Sequence, residues 1–132
     1  MLSAIPLLSI VLSLANLVAF GAQTGFAESL FALTLPSGGT VSFSTGDGLI
    51  LLGLALLYVE IFKATRTSSM SVLDHALSLV VIFVALVALL IAPKFAHAAF
   101  FALTAMCLID VIAGFTVTIA SARRDFAPAN QG

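Results

Sequence analysis

Glu60, His75 and Asp110 are the residues whose types and placement could do chemistry, because each lies in or beside a long apolar run. Asp110 is the most isolated. From Phe95 to Ala122 there is no other acid and no Lys or Arg. A charged side chain at the bilayer centre costs ~2.5–3.5 kcal/mol on insertion scales, so a carboxylate kept there is by default a candidate functional group. Carboxyl groups and an imidazole held together in low dielectric can pass a proton between them or bind a monovalent cation. Ser78, one helical turn from His75, would add a hydroxyl to such a proton or cation site. The plain alternative is structural: a protonated Asp110 hydrogen-bonded across helices, and Glu60 paired with Lys63 (i, i+3) or His75.

Other chemistries lack their residues. No GxSxG, Walker A or HExxH pattern occurs. Cys107 is the sole cysteine, which rules out an intramolecular disulfide and any CxxC metal spacing. His75 and His97 fall at opposite membrane faces, so they do not pair as metal or haem ligands. Five basic residues form no patch for nucleic acid. No catalytic residue, metal or cofactor is expected, and the chain does not read as an enzyme.

The elements that must position these groups follow from hydropathy. The chain of 132 residues is 61% hydrophobic and 8% charged, against about 25% charged for a typical soluble domain. It cannot coat a water-soluble globule, which makes it an integral membrane protein. Four apolar runs predict an all-α membrane protein of four transmembrane helices, at about 2–22, 48–66, 72–92 and 95–122, in a single domain covering 1–124. A spanning helix needs about 20 mostly apolar residues, so the second must include Lys63 to Arg66, whose long side chains snorkel. The first run lacks a basic leader and reads as a retained helix with Pro6 in its first turn. The tail 125–132 reads as disordered and cytoplasmic.

Between the first two helices, Phe31, Leu33 and Leu35 alternate with small or polar residues, then Pro36-Ser37-Gly38-Gly39 interrupts, then Val41 and Phe43 alternate with serines. That period-two pattern around a turn predicts a β-hairpin over about 30–44. Asp47 stands where an N-cap for the second helix is expected. Lys63, Arg66, Arg123 and Arg124 fall on one side of the membrane and Lys94 on the other, which places both termini in the cytoplasm and the hairpin outside it. A bacterial inner membrane fits, the chain being compact and carrying no transit signal.

Connectivity gives depth. Folding the chain about Thr67 and Ser68 sets Glu60 opposite His75, and folding about Pro93 and Lys94 sets Asp110 level with Ser78 or Leu79. The ionisable groups then share one slab in the cytoplasmic half. Counted from the basic flanks, however, Glu60 lies six residues (about 9 Å) from Arg66 and Asp110 thirteen (about 20 Å) from Arg123. Both hold together if the fourth helix is tilted or projects beyond the membrane. Helices in lipid turn polar and small residues toward one another, so these mark the faces expected to point to the bundle interior: Ser9, Ser13 and Asn16 in the first helix, Gly53 in the second, Gly114 in the fourth.

Two functions from different classes are compatible with this pattern. One is a non-enzymatic protein working by association in the bilayer, as an accessory or scaffold subunit of a larger membrane complex or as a homo-oligomer. The other is an oligomeric proton- or cation-coupled small transporter or channel using Glu60, His75 and Asp110.

Overall fold

Apolar runs broken by turn residues fold here into four helices and one hairpin. The computed structural model describes residues 5–66 and 69–126. Its elements are α1 (Leu8–Gly21), the strands β1 (Ser29–Thr34) and β2 (Thr40–Ser44), α2 (Thr45–Ala64), α3 (Ser69–Ile91) and α4 (Ala98–Phe126). Short 3-10 turns at Gly25–Ala27 and Pro93–Phe95 complete two of the connections. The fold is mostly helical, and α2, α3 and α4 are long and apolar enough to cross a membrane. The molecule is a multi-pass membrane protein whose apolar helices face lipid. The α2–α3 midpoint at residues 67 and 68 and the tail residues 127–132 lie outside the described residues.

The first helix departs from the expected 2–22. It starts at Leu8 and has 14 residues, about 21 Å against a hydrocarbon core of about 30 Å. Residues 1–4 lie outside the described residues. From Ile5 onward the reason is part local and part tertiary. Pro6 has no N–H to give, and the Leu7 N–H donates to Glu60 Oε2 at 3.0 Å rather than to a preceding turn. Pro6 therefore precedes the helix instead of lying in its first turn.

The start of α2 is also corrected. Ser44, not Asp47, is the N-cap: its hydroxyl accepts from the Asp47 N–H, and Asp47 Oδ2 accepts from the Ser44 N–H at 2.8 Å. This reciprocal box satisfies two of the free N–H groups that a helix end leaves, so α2 starts at Thr45. At α4, Pro93 and Lys94 turn the chain first, and the Ala99 N–H donates to His97 Nδ1 at 3.0 Å. The helix then runs unbroken to Phe126.

The hairpin is antiparallel, with Phe31 opposite Phe43, Leu33 opposite Val41 and a bulge between Ser29 and Phe31. Gly38 supplies the positive φ its turn needs. Thr45 ties the base, its N–H donating to the Glu28 carbonyl at 2.8 Å.

The core lies between α1, α2 and α4. Leu8, Val11, Leu12, Ala15 and Ala19 bury one face of α1 at helical spacing against Leu49 and Leu57 of α2 and Phe100, Leu103 and Met106 of α4. α2 and α4 share the most extensive contact. A Cβ on Gly46 would lie 2.8 Å from the Ala99 Cβ, and one on Gly53 2.8 Å from Met106 Sδ. Both pairs are offset by 53 positions, so α2 and α4 run parallel and in register. α3 packs on the flank of α4 and turns Val80, Phe83, Val84 and Leu90 outward, an apolar outer surface suited to lipid.

Candidate functional site

The end of the bundle opposite the hairpin holds a cluster of charges, built by all four helices. α2 contributes Glu60 and Lys63, one turn apart near its C-terminus. α3 contributes Asp74 and Ser78, again one turn apart. α4 contributes Asp110, and the entry to α1 contributes backbone. Lys63 Nζ is the hub. It donates to the Ile5 carbonyl at 2.9 Å, to Glu60 Oε1 at 3.2 Å and to Asp74 Oδ1 at 3.3 Å. Glu60 spends its other oxygen on the Leu7 N–H. Glu60 is 1% exposed, Asp74 5% and Asp110 7%. A buried carboxylate needs opposite charge or hydrogen bonds to be tolerated, and Glu60 has both.

Asp110 lies deeper. By the offset of 53 between α2 and α4 it comes level with Leu57, one turn (about 4.5 Å) inside Glu60. The Ser78 side chain is turned toward it, and the charges of Glu60, Asp74 and Lys63 lie within electrostatic reach. The cluster therefore sets three acids against one lysine. Its inner member has a hydroxyl neighbour and no cation in direct contact among the described residues.

His75 sits elsewhere. Its Nε2 shares a hydrogen bond with Thr118 Oγ1 at 2.9 Å, and its ring covers Gly114, where an added Cβ would lie 2.6 Å from the His75 Cε1. Phe115 flanks the same ring at 6.1 Å between centroids. Of the four residues placed in one site from connectivity, the structure gathers Glu60, Ser78 and Asp110 around Lys63 and Asp74, and sets His75 on a separate α3–α4 contact. Successive helical residues point about 100° apart, so Asp74 and His75 share a depth and face different neighbours. With His75 on Gly114, the start of α3 at Ser69 comes level with Ala120. The end of α4, with exposed Arg123 and Arg124, projects past it. That overhang accounts for the unequal counts of Glu60 and Asp110 from their basic flanks.

The other marked residues are placed as follows. Gly53 lies under Leu103 and Met106 where α2 meets α4. Ser13 and Asn16 are exposed and Ser9 half-buried, so this face of α1 turns outward and not into the bundle interior as expected, because the apolar Leu8, Val11, Leu12 and Ala15 fill the core instead. All three bond within their own segment: Ser9 Oγ to the Pro6 carbonyl, Ser13 Oγ to Ser9, and Asn16 Nδ2 to Leu12 at 2.9 Å. Cys107 is buried in the core as a free thiol.

Lys63 as the hub and Asp74 as its partner were not singled out from sequence as site residues. The i, i+3 spacing of Glu60 and Lys63 was the available signal; Asp74 had none beyond its charge. Among the described residues no three His, Cys, Asp or Glu side chains converge as metal ligands would. Two surface hollows, about 610 Å³ along residues 21–29 and about 230 Å³ between β2 and α2, lie at the hairpin end, and neither is lined by Glu60, Asp74 or Asp110. No family model, curated protein or solved structure matches this chain.

Proposed function

We propose that this protein works by association within a membrane, either as a self-associating bundle or as an accessory subunit of a larger membrane complex. Both termini lie in the cytoplasm and the hairpin outside it, in a bacterial inner membrane. The distribution of Lys63, Arg66, Arg123 and Arg124 against Lys94 supports that orientation.

The observation that carries the association is the outward face of α1. Asn16 lies there between exposed Leu14, Leu17 and Phe20. Among the described residues its Nδ2 donates once, to Leu12, and its second N–H and its amide oxygen have no partner. A polar side chain in hydrocarbon seeks a partner helix, and small neighbours such as Ser9 and Ser13 let one approach closely. An amide is both donor and acceptor, so a second copy can satisfy it. The saturated Glu60 pair fits the same role as a clasp that fixes the shape being recognised. The test is Asn16→Leu and Ser13→Leu in lipid vesicles, with association read by energy transfer between labelled chains. Loss of transfer in both variants is expected. A wild-type chain that stays monomeric at every protein-to-lipid ratio, and co-purifies with nothing, overturns the reading.

One observation favours a second reading, proton- or cation-coupled transport. Asp110 is the acid in excess over Lys63, buried and facing Ser78. Here Asp110→Asn and Glu60→Gln in proteoliposomes, followed with a pH-sensitive dye, should abolish a flux that the wild type supports. A wild type that moves no proton or monovalent cation under any gradient removes this reading and leaves the first intact.

A further inference from the structure

The β1–β2 hairpin presents apolar side chains that nothing among the described residues covers. The register sets Phe31 opposite Phe43 and Leu33 opposite Val41 on one face, since side chains alternate along a strand. The Phe31 and Phe43 rings stack at 4.8 Å, yet Phe31 remains 56% exposed and Leu33 53%. A lone two-stranded hairpin is marginal in water, and this one needs a cover.

What covers it is indicated by where the face leads. Val41 and Phe43 share a groove of about 230 Å³ with Ile50 and Leu51 of α2, rimmed by Ser42 and Asp47. Leu51 is exposed and belongs to a spanning helix, so that flank of α2 is a surface that meets lipid. The hairpin is thus angled over the flank, its apolar face continuous with the lipid-facing surface. No Asp, Glu, Lys or Arg occurs from Ser29 to Gly46. The opposite face carries small Ala32 with Thr34, Thr40 and Ser42, neutral hydroxyls suited to headgroups and water.

Backbone chemistry sets the depth. The Leu35 N–H donates to the Gly39 carbonyl, and antiparallel alternation then turns the N–H and C=O of Ala32 and Thr34 away from β2. Such free edges cannot enter hydrocarbon. They can lie in the interfacial layer, where amphipathic elements bury one face at the headgroup–acyl boundary. A water-borne partner would have to wedge between this face and the bilayer.

We propose that the hairpin is a membrane-surface paddle, with Phe31, Leu33, Val41 and Phe43 set into the interfacial layer and phospholipid filling the groove against α2. This inference stands apart from self-association, since it concerns the bilayer and not a second copy.

The chain has no tryptophan, so Phe31→Trp, Leu33→Trp and Thr34→Trp each give a single tryptophan, excited selectively over Tyr58, in the full-length protein in phosphatidylcholine vesicles. Expected for positions 31 and 33 are blue-shifted emission relative to position 34, and quenching by lipid labelled high on its acyl chain more than by lipid labelled at the chain end. Aqueous iodide should quench Thr34→Trp more than the other two. Equal iodide quenching at all three positions overturns the proposal, as does protection of positions 31 and 33 from both iodide and labelled lipid, which would mean a protein cover. The wild-type chain supplies a test free of substitutions. A phosphatidylcholine with a photoreactive group high on its acyl chain should label peptides within residues 29–44. Labelling of the α3 outer face without labelling of the hairpin overturns the proposal.

Discussion

The two ends of this bundle are held together by opposite kinds of chemistry. At the charged end, Lys63 reaches Ile5, Glu60 and Asp74, and Glu60 takes the Leu7 N–H. At the hairpin end there is a cluster of rings. Phe95 packs on Phe100 at 4.4 Å and edge-on to Phe20 at 5.7 Å, Phe26 lies against His97 and Phe100, and Lys94 caps Phe20 at 4.7 Å from the centroid. The difference follows from the solvent. Lipid solvates a phenyl ring almost as well as a protein core does, so aromatic packing in a membrane has little transfer energy behind it. A buried charge has no such alternative, and a single missing partner leaves it stranded.

That contrast predicts the largest effect at Lys63. Lys63→Met removes three hydrogen bonds and leaves two acids without their cation. Breaking a buried pair from one side costs roughly 3–5 kcal/mol, and unfolding by steric trapping in micelles should register a loss of that order. Glu60→Gln should lose clearly less, because an amide oxygen still accepts from Leu7 and Lys63 keeps Asp74. Phe100→Ala, at the other end, should fall below the roughly 3–5 kcal/mol of a soluble core. If Phe100→Ala costs more than Lys63→Met, the ranking of the two ends is reversed and the ion pairs are not what fixes the helices.

The same contrast explains how much was legible in the sequence. Hydropathy located all four helices and period-two alternation located the hairpin, because both are read along the chain in one dimension. Depth was partly readable too: folding the chain at its turns brought Glu60, Ser78 and Asp110 to one end. Azimuth was not. Asp74 and His75 are neighbours in sequence, and only helix rotation decides that Asp74 meets Lys63 while His75 meets Thr118. Helix ends failed for a different reason. At the start of α1 Pro6 is a local signal, but the Glu60 carboxylate that takes the Leu7 N–H lies 53 positions away, a tertiary contact with no local signal. The α2 cap did have one: Ser44 and Asp47 stand three apart, the spacing of a capping box. The aromatic cluster left no trace, since eleven phenylalanines spread along an apolar chain do not announce which four will meet.

A smaller effect separates two glycines on the same α2–α4 seam. At Gly53 an added methyl meets Leu103 Cδ2 and Met106 Sδ, the ends of flexible side chains that can swing aside. At Gly46 it meets the Ala99 Cβ at 2.8 Å and the Phe26 carbonyl oxygen at 3.1 Å, neither of which can move without backbone. Overpacking costs typically about 1–3 kcal/mol. Gly46→Ala should fall within that range and Gly53→Ala near or below its lower edge, read as thermal midpoints in the same detergent. Equal losses would mean that the hairpin end yields as easily as the middle of the bundle.

The smallest expected effect tests whether the two ends are independent. Ser44→Ala removes the hydroxyl that accepts from the Asp47 N–H, and lost caps cost typically about 1 kcal/mol. The strands stay paired through their own ladder, and Thr45 keeps its bond to Glu28, so the loss should stay local. Amide exchange should quicken in the first turn of α2 and at the base of β2, while amides near Glu60, more than three turns away, keep their wild-type rates. Exchange that quickens equally at Glu60 would mean that α2 responds as one rigid rod, and that the aromatic end and the charged end form a single cooperative unit.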